Sequence, residues 1–169
     1  MVIVFYQHDE ILFSTSLQKY AMSKFTSMLV VSPLADGKTW LLYSDFGYDV
    51  GTEGSGDRIN VELGFKTDFA SVPRPLWWWL SPWGKHGNAA VIHDYLYWTQ
   101  TRTRKEADDI FFEAMTVLEV PSFDKRLMYW AVRIFGALAW ASNKRKAEAG
   151  YDKVATQMPT KSVQMPKEL

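Results

Sequence analysis

A chain of 169 residues has the length of one domain with tails, and a composition 47% hydrophobic and 15% aromatic is enough to build a packed core. Nineteen Lys and Arg balance nineteen Asp and Glu, which removes the basic footprint of a nucleic-acid binder and leaves little repulsion to keep copies apart. The absence of Cys excludes disulfides, thiolate metal sites and thiol nucleophiles, and it fits a reducing compartment.

Residues 1–6 are apolar but lack the basic start and the length of a signal-peptide core. Residues 1–20 alternate short apolar runs with polar residues and read as an arm or edge strand. Residues 27–31 have the composition of a strand, and residues 33–38, with Asp36-Gly37, form a turn into a second strand at 39–43. Residues 45–57 hold four of the ten Gly and read as a loop or irregular hairpin. Residues 58–65 alternate, with Ile59, Val61 and Leu63 on one side, as a half-buried strand does.

After Phe65 the period changes. Pro73 and Pro75 stop any strand, and residues 76–80 form a short helix ended by Ser81-Pro82. Three adjacent indoles, Trp77, Trp78 and Trp79, cannot all face inward on so short a segment. With Trp83 they make a candidate binding surface for a sugar, a lipid interface or a protein. Asn88 is placed to cap a helix over 89–99. Thr103 and Glu106 make a capping box for a helix to about residue 118. Pro121-Ser122 opens the last and longest helix, to about residue 149, with Gly150 as its stop. Its apolar run, residues 127–141, is broken by Arg133 and falls short of the roughly 20 residues a bilayer span needs. Asn143 to Lys146 is a basic helix end that complements the macrodipole, or alternatively a phosphate contact. Residues 151–169 have no period and form a tail, mobile unless a partner holds it. The organisation is one α+β domain over 21–150, a small antiparallel β-sheet followed by a three-helix layer.

One constellation carries chemistry. On the helix over 89–99, His93 and Tyr97 form an i,i+4 pair, and Asp94 sits about 100° round from His93, so both can border one cavity. On the next helix Ala107, Ile110, Phe111, Ala114 and Leu118 make the core stripe. Asp108 heads a second apolar row with Phe111, Phe112 and Met115, while Asp109 aligns with Glu113 and Thr116 towards water. A carboxylate on an apolar flank needs a partner, because unpaired burial costs several kcal/mol. His93 is the natural one, and a His oriented by a carboxylate is a general base. Asp94, with Asp68 from the loop pinned by Pro73, could hold a hard cation or a water molecule. The competing reading makes Thr67, Asp68 and Ser71 turn caps, and His93, Asp94, Tyr97 and Asp108 a buried polar brace.

His86 and His93, seven residues apart, would lie roughly 10 Å apart on a helix, too far to chelate one metal. A metal-dependent phosphohydrolase would need a further upstream His, and only His8 and His86 offer one. There is no Walker loop, dinucleotide fingerprint or Gly-x-Ser-x-Gly elbow.

The run from Gly64 to Arg74 (GFKTDFASVPR), the Trp-rich stretch, Ala90 to Tyr97 (AVIHDYLY) and Arg104 to Asp109 (RKEADD) resemble a family of unknown function widespread in tailed bacteriophages and prophages. The resemblance spans residues 58–140 and implies a phage origin but no established activity; the expected location is the virion, after synthesis in a bacterial host's cytoplasm. His93-Asp94-x-x-Tyr97 followed by Ala107-Asp108 is also similar to the paired helices of the phospholipase A-two superfamily, the parvovirus capsid version above all. That resemblance implies His93 as base, Asp108 as its orienter, Asp94 as a calcium ligand and Tyr97 as a supporting hydroxyl. The superfamily binds calcium through a Gly-rich loop, whereas residues 64–71 hold one Gly, so Asp68 would have to replace those carbonyls. The expectation is a virion-associated tail or baseplate module, assembling with itself or other virion proteins and carrying a hydrolase-like site. The alternative is an active phospholipase-like hydrolase cleaving an envelope lipid or other ester. Whether His93 faces an open pocket or a sealed core separates them.

Overall fold

The computed structural model describes residues 24–69 and 85–158. The arm at 1–20, the segment with Trp77, Trp78, Trp79 and Trp83, and the far end of the tail lie outside the described residues. The fold is α+β: strands β1 (Val31–Pro33), β2 (Trp40–Leu42), β3 (Phe46–Asp49), β4 (Arg58–Val61) and β5 (Lys66–Thr67) precede helices α1 (Gly87–Thr99), α2 (Arg104–Val117) and α3 (Ser122–Glu148).

Two small antiparallel sheets form, one in the order β1-β2-β5 and one of β3 with β4. The strand expected over 27–31 begins only at Val31, and the β1–β2 hairpin turns where Asp36-Gly37 sets it. Asp36 accepts from the backbone N–H groups of Lys38 and Thr39 and from the Thr39 hydroxyl, which holds its carboxyl down at about 2. Gly37 supplies the positive φ of 65°.

Of the two readings of 45–57, the irregular hairpin is the one that forms, with β3 paired to β4 from Phe46↔Val61 to Asp49↔Arg58. Gly47 disguised this strand. A Cβ there would lie 2.8 Å from the Ile59 carbonyl and 3.0 Å from the Thr26 hydroxyl, so the Gly marks a close backbone approach. Ile59 and Val61 are buried as alternation predicts, but Leu63 is exposed, because the strand ends at Val61 and the chain turns towards Gly64.

α1 is buried nearly all round, against α2, α3, β4 and β5, as suits a helix at the centre of a small domain. Asn88 is not its cap. The helix opens at Gly87 after His86, which makes no side-chain capping bond. The Thr103–Glu106 capping box forms in full. Glu113, expected to face water, instead accepts from the Lys24 ammonium at 2.8 Å, the buried Tyr48 hydroxyl at 2.8 Å and the Gly51 N–H at 2.9 Å. It ties α2 to the β3–β4 hairpin. Nor does the tail run loose from Tyr151: Lys66 N–H donates to the Lys153 carbonyl and Ala155 N–H to that of Gly64, both at 2.8 Å, beside a Phe65–Val154 bridge.

Candidate functional site

Helices α1 and α3, the residue Asp68 and the tail enclose a cleft of about 250 Å³. One wall is Asp68, His93, Asp94 and Tyr97; the other is α3, whose Ala131, Gly136 and Ala139 keep it open by being small; Lys153 closes the tail side. His93 is itself only 2% exposed, so it borders the cleft from within the core.

His93 Nε2 lies 2.9 Å from Asp108 Oδ1, and the Tyr97 hydroxyl donates to that oxygen at 2.7 Å. Phe111 stacks on the His93 ring with centroids 4.7 Å apart, and Tyr97 lies 4.1 Å away at a tilt. The ring is thus fixed by packing as well as by hydrogen bonding. Because ionised Asp108 only accepts, Nε2 is the nitrogen that donates to it.

Asp108 is fully buried, and its second oxygen accepts from Arg133 at 2.7 Å, with Arg104 at 3.5 Å. Burial alone would raise its carboxyl. Hydrogen bonds from His93, Tyr97 and Arg133 outweigh that and hold it below the usual range. Burial, and then the bond to Asp108, push the Tyr97 phenol well above its ordinary value, so Tyr97 stays a donor. Asp109 sits at the surface, paired with Lys105 at 2.6 Å and bonded by Tyr129 at 2.8 Å, as the helix phase predicts.

The two arginines are what sequence reasoning missed. Arg104 was within reach, four residues before Asp108 on one helix. Arg133 has no local signal, because it meets Asp108 only through the packing of α3 on α2. Lys153 likewise reaches the cleft only because the tail folds back; its ammonium stands 5.9 Å from the Phe65 ring centre and 5.8 Å from that of Trp98.

The Asp94 carboxylate borders the cleft and accepts from the Thr67 hydroxyl at 2.5 Å. Among the described residues no three or more His, Asp or Glu side chains group so as to hold a metal ion. Asp68 and Asp94 border the cleft beside His93, and among the described residues these do not group as a metal-binding set.

The model of a family described as "Protein of unknown function (DUF1353)" matches residues 40–132, more than half of the chain. The chain belongs to the DUF1353 family. The matched stretch carries Asp68, His93, Asp94, Tyr97, Arg104 and Asp108, but stops before Arg133, Gly136 and Lys153. This DUF1353 chain is similar to Uncharacterized protein y4iH of Sinorhizobium fredii (strain NBRC 101917 / NGR234), 35% identical over 139 residues, which are 79% of this chain and 56% of the relative. It is also similar to Uncharacterized protein y4jT of the same strain, 35% identical over 97 residues, 56% of this chain and 28% of that one. The chain therefore spans between about a quarter and just over half of these curated relatives. No solved structure matches.

Proposed function

We propose that this DUF1353 domain is a hydrolase of phage or prophage origin that cleaves an ester of the cell envelope by general-base catalysis at His93. The observation that carries the reading is that His93, locked to Asp108 in the core, borders an open cleft. Asp108 orients the ring through Nε2, and His93 takes a proton from water as its oxygen attacks the ester carbonyl carbon. The tetrahedral adduct then collapses, the carbon–oxygen bond to the leaving alcohol breaks, and His93 returns the proton to that oxygen. Lys153 is the cation in the cleft suited to the developing oxyanion. Tyr97 and Arg133 position Asp108 and do not touch substrate.

A second reading, a virion structural or binding module with an inert site, is favoured by the two arginines. With Arg104 and Arg133 on its second oxygen, Asp108 also serves as a brace joining α2 to α3.

His93→Gln separates the two, because the amide can still donate to Asp108 while lacking a basic nitrogen. Turnover is followed with short-chain nitrophenyl esters and fluorogenic phospholipids, and stability by melting. The hydrolase reading expects the variant to lose ester cleavage at least 100-fold with little change in melting temperature. Wild-type protein that cleaves neither substrate class, or a variant that retains cleavage, overturns it.

A further inference from the structure

Besides the face that packs on the core, α3 presents a second apolar face. Phe123, Trp130, Ile134 and Leu138 follow one another at helical spacing along it and are between 60 and 80% exposed. From Phe123 to Leu138 the row is about 22 Å long. A helix apolar on two faces is normally covered on both.

The charges on α3 indicate what covers the second face. The helix carries six Lys or Arg against two Asp or Glu, although the whole chain is neutral. Arg133 is spent on Asp108, but Arg126 near the start of the row and Lys144 and Arg145 beyond its end are exposed. Lys125 and Arg126 at one end and Lys144 to Lys146 at the other outnumber Asp124 and Glu148, so a second copy of α3 brings the same excess of positive charge and no complement to it. An anionic surface is complementary at both ends of the row. Apolar and aromatic side chains on one face, with Lys and Arg at its borders, are the pattern of a helix lying in a membrane interface. No helix among the described residues is long and apolar enough to cross a membrane, so the fit is to lying flat.

We propose that α3 docks the protein on an anionic lipid surface through Phe123, Trp130, Ile134 and Leu138. Phe135, exposed at 62%, lines the His93 cleft beside this row, so docking brings the cleft mouth to the interface. An amphipathic substrate could then enter without crossing water. Docking itself does not depend on hydrolysis; the route into the cleft rests on the hydrolytic reading.

The full chain is sedimented with vesicles of phosphatidylcholine, alone or with 30% phosphatidylglycerol. Binding is expected on the mixed vesicles, about tenfold weaker on phosphatidylcholine and weakened again by 0.5 M salt. The double variant Ile134→Ser/Leu138→Ser should lose at least tenfold in binding with an unchanged melting temperature. His93→Gln should bind as wild type does, so vesicle binding without ester cleavage supports docking while sinking the hydrolase. No vesicle binding by the wild type, or equal binding by the double variant, overturns the proposal. So does a solution dimer that the double variant dissociates, which assigns the face to a second copy. A marked fall in the double variant's melting temperature also overturns it, because the row would then be covered by the chain's own core.

Discussion

Asp108 is the residue whose environment constrains the site most. Its carboxyl is held below the usual range, so the folded pKa lies under the unfolded value of about 3.9. By linkage, the stability it contributes is complete above that unfolded value and is lost as pH falls through the folded one. Asp108→Asn should destabilise at neutral pH by about 2 kcal/mol. That is less than the roughly 3–5 kcal/mol for breaking a fully buried pair, because Arg104 and Arg133 are 25% and 24% exposed and water takes up part of their charge. Urea unfolding between pH 7 and pH 2 should show the two proteins converging below about pH 4. A gap that holds constant to pH 2 would mean that folding does not lower the Asp108 carboxyl at all. Much of this network is legible in sequence, since helix phase alone aligns His93 with Tyr97 and turns Asp108 inward. Arg133 is not, because its partner lies 25 residues away and is chosen by how two helices pack.

Among the elements, those set by local chemistry were readable: the Asp36-Gly37 hairpin, the Thr103 box and the Gly150 stop all stand where the residues put them. Elements set by close approach were not. Gly47 reads as loop-forming and is in fact a strand position that another backbone crosses. Gly136 is the helical counterpart. A Cβ there would run into the Tyr97 hydroxyl and lie 3.2 Å from the ring carbon bearing it, so α3 can cross α1 only at a residue without a side chain. On helix propensity alone, Gly136→Ala would gain about 1 kcal/mol. The overlap costs about 1–3 kcal/mol, and turning Tyr97 away from ionised Asp108 loses about 1.5–3 kcal/mol more. The expected result is a net loss, read by urea denaturation, together with slower ester cleavage as His93 loses its neighbour. A stabilised Gly136→Ala protein would show that α1 and α3 can move apart at no cost.

At the scale of the whole molecule, the cleft is assembled from parts far apart in sequence, and its last wall comes from a segment with no periodic signal. Residues 151–158 join the molecule through the pairing of Lys153 and Ala155 with Lys66 and Gly64, and through Val154 packed against the core. Gly64, at φ 85°, brings its backbone so near that an added Cβ would meet the Ala155 carbonyl at 3.1 Å. Two backbone hydrogen bonds contribute about 0.5–1.5 kcal/mol each, and burying most of one Val adds about 1.5 kcal/mol. Ending the chain after Gly150 should therefore cost about 3 kcal/mol, against a typical domain stability of about 5–15 kcal/mol, and leave a folded protein. Such a protein also lacks Lys153, so its ester cleavage should fall further than its stability does. Lys153→Gln, which keeps the backbone pairing, isolates that second effect: the melting temperature should hold while cleavage drops at least tenfold. If the truncated protein melts as the full chain does, the tail is not part of the fold. If Lys153→Gln cleaves as fast as wild type, the oxyanion is stabilised by another group.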